Sequence, residues 1–325
     1  MEKIYFTSGA CESNNWVIRG FDDANINNKS AIITTPIEHK SILEAINNPA
    51  LQSDIHICKV DHYGFVDIDC LKNLLDLNKD KRILVSVIMA NNEIGTIQDI
   101  KKIADLVHSY NGILHTDATQ AFGHIPIDVK ELGIDLLSAS AQKLGGLKGT
   151  GFLYNNNAQK LRPLIYGAQE NGYRGGTENV IGIIALGEAI KHIDYNKQLE
   201  IANLRDIFIK ELLRLGCNLN GSWAIRLPNN INVRFKQNIT GEAIVYGLDT
   251  SDIYISTGSA CNSKEIEASY VLKAIGLSDE SAYKSIRITL PDDITRDKID
   301  KAIQEIKKLI QLLTIEDNIK GNFEF

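Results

Sequence analysis

Cysteine is scarce in this sequence, and its spacing builds no framework. The five residues, Cys11, Cys58, Cys70, Cys217 and Cys261, are odd in number and widely separated, with no C-x-x-C. That excludes a disulfide scaffold and gives no sequence-local zinc or cluster site, so no metal is expected. A reducing, cytoplasmic setting fits best. Also missing is an apolar run of membrane-spanning length, and the opening MEKIYFTSG reads as neither a signal nor a transit peptide. Positive charge is not in excess: 35 Lys and Arg stand against 41 Asp and Glu, a net charge of −6. No whole-chain attraction to nucleic acid or to an anionic membrane follows, so neither is expected as a partner. Basic pairs such as Lys101-Lys102 and Lys307-Lys308 read as solvated helix faces. Internal repeats and low-complexity linkers are absent as well.

What is present is an ordinary globular composition, 44% hydrophobic and 23% charged, in a chain of 325 residues. That length is large for one core and suggests two domains. Apolar runs rich in Ile and Val at 30–37, 54–60, 82–90, 112–118, 135–141 and 151–155 read as buried strands. Helical stretches at 40–47, 70–77 and 99–110 lie between several of them. This βα alternation predicts an α/β fold with a mainly parallel sheet covered by helices. From Thr177, a candidate N-cap, the pattern turns to two long helical stretches ending at Gly216. A strand–helix–strand series follows, and then an amphipathic helix with Ile299, Ala302, Ile303, Ile306, Leu309, Ile310 and Leu313 on one stripe. The boundary is placed near residue 197, giving a large domain over 1–197 and a smaller α+β domain over 198–325.

Residues that carry chemistry gather just after the strands: Glu38-His39, Asn91-Asn92-Glu93, Asp117 to Gln120, and Gln142-Lys143. In open α/β sheets that is where ligands bind. The stretch TSGACESNN (7–15) is small and polar and runs into a helix, the composition of a backbone cradle for a phosphate at a helix N-terminus. DATQ (117–120), followed later by SASAQKLGG (138–146), pairs a strand-end Asp with a Lys beside Ser and Gly. Pyridoxal phosphate enzymes use such a pair: the lysine forms a Schiff base, and the carboxylate keeps the pyridine nitrogen protonated. Taken alone, Asp117 reads first as a surface turn residue and Lys143 as a solvated loop lysine.

Read in order, FTSGACESNN, EHKSI, NNEIGTIQDI, TDATQAFGHIPIDV, SASAQKLGGLKGTGFLY, RGGTENVIGIIALGEA and STGSACNSKEIEASYVLKAIGLSDESAYKSIRITL resemble the consecutive motifs of the cysteine desulfurases. These are class V aminotransferase relatives, and the last motif resembles the iron–sulfur and nitrogen-fixation branch with its longer cysteine loop. The resemblance runs from residue 4 to about residue 313 and implies the PLP-dependent transferase fold type I with pyridoxal 5'-phosphate as cofactor. It implies Lys143 as Schiff-base lysine and as the base at the substrate Cα, and Asp117 as partner of the pyridine nitrogen. Gln120 and Asn92 would hydrogen-bond the phenolic oxygen, with Asn92 also reaching the substrate. His39 would stack on the pyridine face and exchange protons with the substrate. The phosphate site would comprise Ala10, Cys11, Ser140, Gln142 and, across a dimer interface, Thr177. Cys261 would be the nucleophile that carries a persulfide, and Arg287 the grip on the substrate carboxylate.

Three positions depart from the family's pattern: Cys11 where Thr is usual, Gln142 where His is usual, and Pro291 where Gly is usual. Gln142 still donates through its amide, whereas a thiol at Cys11 is a weaker donor than a hydroxyl. The family's D-x-A-A-T-T-P-like segment, which normally precedes the cradle, has no counterpart here, so a truncated, split or natively short chain is expected. The implied activity is removal of sulfur from L-cysteine, giving L-alanine and an enzyme persulfide for an acceptor protein in iron–sulfur cluster or thiolation pathways. The implied assembly is a homodimer. Two other readings stand beside this one. One is a non-catalytic or split homologue acting as a PLP-binding sulfur-trafficking scaffold, and the other is a selenocysteine lyase or other PLP lyase.

Overall fold

Runs of Ile and Val that cannot be left in water set the architecture. A computed structural model of the chain describes residues 4–25, 29–156, 161–257 and 268–321. The chain divides into two compact units: residues 1–61, 65–91 and 97–195 form the first, and 62–64, 92–96 and 196–325 the second.

The first unit contains β1 (Ile4–Thr7), α1 (Ala10–Ala24), β2 (Ser30–Thr34), α2 (Lys40–Ile46), β3 (Asp54–Ile57), α3 (Ile68–Leu77), β4 (Arg82–Ser86), α4 (Ile100–Ser109), β5 (Ile113–Asp117), β6 (Leu136–Ser140), β7 (Gly151–Asn155) and α5 (Val180–Lys191). Its sheet has seven strands in the order β1-β7-β6-β5-β4-β2-β3. Strands β3, β2, β4, β5 and β6 pair in parallel, while β7 runs antiparallel to both β6 and β1. Every residue of β2, β5 and β6 is buried, as expected for strands covered on both faces. Trp16, Ile18 and Phe21 of α1 pack with Ile32, Leu84, Leu136 and Leu153 in one apolar cluster. Side-chain caps fix the helix starts: Asp67 accepts from the Cys70 N–H at 2.9 Å, and Asp99 from the Lys102 N–H at 3.1 Å.

At α5 the structure corrects the sequence reading. The N-cap is Asn179, whose Oδ1 accepts from the Gly182 N–H at 3.1 Å, and not Thr177. Asn179 wins because its Nδ2 also donates to Thr150 Oγ1 at 3.2 Å, a tertiary contact beyond local spacing.

The second unit contains α6 (Tyr195–Arg214), β8 (Cys217–Leu219), β9 (Asn230–Phe235), α7 (Gly241–Asp249), β10 (Ser256–Thr257), α8 (Tyr270–Ala274), α9 (Asp279–Tyr283), β11 (Ser285–Thr289) and α10 (Arg296–Gly321). Its four strands pair antiparallel in the order β10-β11-β9-β8. Gly216, at φ +91°, ends α6 where the sequence placed the stop. Ile299, Ala302, Ile306 and Ile310 of α10 close the core over Ile231, Val233, Ile286 and Ile288. The segment 92–96 joins this unit through polar contacts. Asn230 and Asn232 donate their amides to the Glu93 carbonyl at 3.2 and 3.1 Å.

Candidate active site

The parallel strands of the first unit deliver their C-terminal ends to one edge of the sheet. Register fixes which residues arrive there. Thr34 lies opposite Ser86, Asp117 opposite Ser138, and Ser140 and Thr7 both opposite Gly151. Beyond these ends lie Gly9, His39, the Asp117–Gln120 turn and a single 3-10 turn at Ala141–Leu144 that carries Lys143. This edge collects most of the residues singled out in the sequence.

The N-terminus of α1 is open. Gly9, its cap residue, has φ +152° and offers no side chain. Among the described residues, the N–H groups of Ala10, Cys11 and Glu12 make no hydrogen bond; the first helical bond is Ser13 N–H to Gly9 O at 3.2 Å. Free N–H groups at the positive end of a helix suit an anion. The two glycines let backbones meet: a Cβ on Gly151 would sit 2.6 Å from the Gly9 Cα and 2.6 Å from the Ala139 carbonyl oxygen. The acidic residue of the first turn, Glu12, is already committed. Arg174 grips it in bidentate fashion, Nε to Oε1 at 2.8 Å and Nη2 to Oε2 at 3.1 Å, and the Ser8 N–H donates at 2.8 Å. Burial pushes the Glu12 carboxyl up, but these donors outweigh it and hold it below the usual carboxylate range.

Asp117, 3% exposed, ends β5 and is held from two sides. The Thr119 N–H donates to Oδ1 at 2.9 Å, and Asn14 Nδ2 donates to Oδ2 at 2.7 Å. The same Asn14 Nδ2 reaches Ser41 Oγ at 2.9 Å, and Ser41 Oγ lies 2.8 Å from His39 Nδ1. His39 caps α2, with its Nδ1 accepting from the Ser41 N–H at 3.1 Å. Asp117 and His39, distant in sequence, are thus joined by one hydrogen-bonded chain.

Two ionisable neighbours of Asp117 are held neutral at pH 7. Burial lifts the Glu38 carboxyl to about 8, a rise opposed by donors from Thr35 and Ile88 and reinforced by the Asp117 charge. Burial likewise pushes His115 down to about 4, with the Asp117 charge acting against it. His115 lies between Ser86 Oγ at 2.8 Å and Ser138 Oγ at 3.0 Å.

Around this centre, Ala10 and Ser140 are buried, Gln120 is half-buried, and Cys11, Gln142 and Lys143 are exposed. Thr177 is exposed and lines a cleft of about 130 Å³ with Ser8, Thr150, Arg174 and Asn179. In the second unit, Arg287 is half-buried on β11, opposite Asn232 and Ser256, with no ion pair among the described residues. Asn92 is half-buried in the segment that joins this unit. Cys261 lies outside the described residues. Sequence reasoning left Asn14, Ser41 and Glu38 without a role. The signal for Asn14 was a polar residue on the apolar side of α1, fully buried beside Trp16 and Val17.

The arrangement fits a phosphorylated pyridine: open amides for the phosphate, a buried carboxylate for the ring nitrogen and an exposed lysine beside them. The comparisons with known proteins give the family. The family described as Aminotransferase class-V matches residues 1–301. A cysteine desulfurase IscS from Dictyoglomus turgidum is 44% identical over 319 residues, 96% of this chain and 80% of that protein. A cysteine desulfurase IscS from Methanosarcina thermophila is 43% identical, covering 96% of this chain and 78% of its own length. Among solved structures, a NifS-like protein superposes with a TM-score of 0.85 at 33% identity, covering 95% of this chain and 83% of that one. A NifS-like protein from Rickettsia africae does so at 0.83 and 33%, covering 95% and 81%.

Proposed function

The chain belongs to the aminotransferase class-V family and, within it, to the cysteine desulfurases, and we propose that the sheet edge of its first unit holds pyridoxal 5'-phosphate. Its α/β fold is the PLP-dependent transferase fold type I. The observation that carries the cofactor reading is the open α1 N-terminus on the same edge as Asp117 and Lys143. When bound there, the cofactor supplies an electron sink at the substrate Cα.

The residues then divide the work. Ala10 and Cys11 donate backbone N–H groups to the phosphate, Ser140 and Gln142 add side-chain donors, and Thr177 serves the site of a second copy. Asp117 would keep a proton on the ring nitrogen, and the family resemblance assigns the phenolic oxygen to the Gln120 and Asn92 amides. Lys143 anchors the cofactor and moves the Cα proton. His39 presents Nε2 to the substrate, since its Nδ1 is already an acceptor for the Ser41 N–H. Arg287 clasps the L-cysteine carboxylate. The Cys261 thiolate attacks the substrate sulfur, an S–S bond forms as the C–S bond breaks, and a proton delivered to carbon completes L-alanine. The persulfide on Cys261 then passes to an acceptor protein of iron–sulfur cluster assembly or thiolation in the cytoplasm. Four of the cysteines, Cys11, Cys58, Cys70 and Cys217, are free thiols, which suits that compartment.

A homodimer is supported by α5, whose Val180, Ile181 and Ile184 are 58%, 74% and 66% exposed. Borohydride reduction of the PLP-loaded protein followed by peptide mass mapping tests the assignment. The label is expected on Lys143 and absent from Lys143→Ala; a label on another lysine contradicts it.

A further inference from the structure

The path from Asp117 to His39 has a direction that its chemistry dictates. Asp117 Oδ2 can only accept, so the atom of Asn14 that faces it at 2.7 Å is the amide nitrogen. That nitrogen carries two hydrogens, and the second points to Ser41 Oγ at 2.9 Å. Ser41 Oγ, filled from that side, has its own hydrogen left for His39 Nδ1 at 2.8 Å. His39 Nδ1 also receives the Ser41 N–H, which is an obligatory donor, so the ring proton resides on Nε2. Asn14 is fully buried and Ser41 is 7% exposed, so water does not compete for these bonds. The Asn14 Oδ1 is buried without a partner among the described residues. The amide is thus turned so that both hydrogens serve Asp117 and Ser41 while its oxygen goes unserved.

We propose that Asn14 and Ser41 are positioning residues that tie the Asp117 carboxylate to the His39 ring and hold that ring in its Nε2–H tautomer. Both residues act through Asp117 and His39, the groups to which they are hydrogen-bonded. Asn14 orients the acceptor for the ring nitrogen, and through Ser41 it fixes the face and the proton that His39 offers. The proposal rests on the reading of Asp117 and His39 given above. A plain helix cap at His39 needs only the Ser41 N–H and assigns nothing to Asn14.

The apoprotein, labelled with ¹⁵N-histidine, tests this without any turnover. Long-range ¹H–¹⁵N spectra of the wild type should show His39 as the Nε2–H tautomer, assigned by the loss of its signals in His39→Gln. Asn14→Leu, which touches no atom of His39, should move both His39 nitrogen resonances toward a tautomer mixture. Ser41→Ala should do the same, Ser41→Thr should restore the wild-type pattern, and the Asn14→Leu/Ser41→Ala pair should add little to either alone. The dissociation constant for PLP should rise about tenfold in Asn14→Leu and less in Ser41→Ala. A wild-type His39 in the Nδ1–H form overturns the proposal directly. So do unmoved His39 resonances in Ser41→Ala, or in an Asn14→Leu protein with an unchanged melting temperature. If the wild type takes up no PLP, the functional reading fails, and the tautomer measurements still decide the relay.

Discussion

Glu38 gives the sharpest physical test of the site's electrostatics. It is fully buried, and Oε1 accepts from Thr35 Oγ1 at 2.6 Å and from the Ile88 N–H at 2.9 Å. With both donors on Oε1, the acid proton belongs on Oε2. Glu38→Gln reproduces that protonated shape, with the amide oxygen in place of Oε1 and a neutral group at every pH. The folded pKa is raised from an ordinary 4.5 to about 8, chiefly by burial. A group raised in this way contributes stability that is present below its unfolded value and lost as pH rises through the folded one. At about 1.4 kcal/mol per unit, the wild type should lose about 3 kcal/mol from this group between about pH 5 and pH 8. Glu38→Gln loses none of it, and titrations common to both proteins cancel in the difference. The assay is urea unfolding followed by Trp16 fluorescence in a Trp223→Phe background, which leaves one tryptophan as reporter of the first unit. The variant should match the wild type near pH 5 and exceed it by about 3 kcal/mol near pH 8. A stability difference that stays flat across that range refutes the claim that Glu38 is held protonated.

Two other perturbations follow from the geometry. Gly151→Ala places a Cβ 2.6 Å from both the Gly9 Cα and the Ala139 carbonyl oxygen, and backbone atoms cannot step aside. It should cost about 2 kcal/mol or more in unfolding free energy and weaken PLP binding, read by denaturation and equilibrium dialysis. Asp at both Ile181 and Ile184, exposed on α5, should convert a dimer into a monomer in light scattering and lower PLP affinity as the partner's Thr177 is lost. A wild type that is monomeric at micromolar concentration contradicts that reading.

The inner strands of the first unit were legible because burial on both faces demands continuous Ile and Val, as in SAIIT and RILVS. β1 was not legible. Its four residues, IYFT, gain strand character only by pairing with β7, far along the chain, and in sequence they merge with the polar cradle. The N-cap of α5 was misread for a similar reason, since T-E-N offers two capping residues and Thr150 decides between them. No linear boundary anticipates that residues 62–64 and 92–96 fold with the second unit, because asparagine amides on β9 draw in the Glu93 carbonyl. The site's acids, bases and lysine came from motif resemblance. The residues that orient them did not, because Asn14 and Ser41 acquire meaning only when α1, α2 and β5 meet.

The proposed desulfuration of L-cysteine through Cys261, with PLP bound in the first unit, is open to direct measurement. The direct measurement is sulfide and alanine released by the PLP-loaded protein from L-cysteine with a thiol reductant, beside Cys261→Ala. The wild type should release equal amounts of sulfide and alanine and gain the mass of one sulfur on Cys261, and a Cys261→Ala protein that keeps its PLP absorbance should lose both. Full turnover by Cys261→Ala, or a wild type that binds PLP and releases neither product, contradicts it.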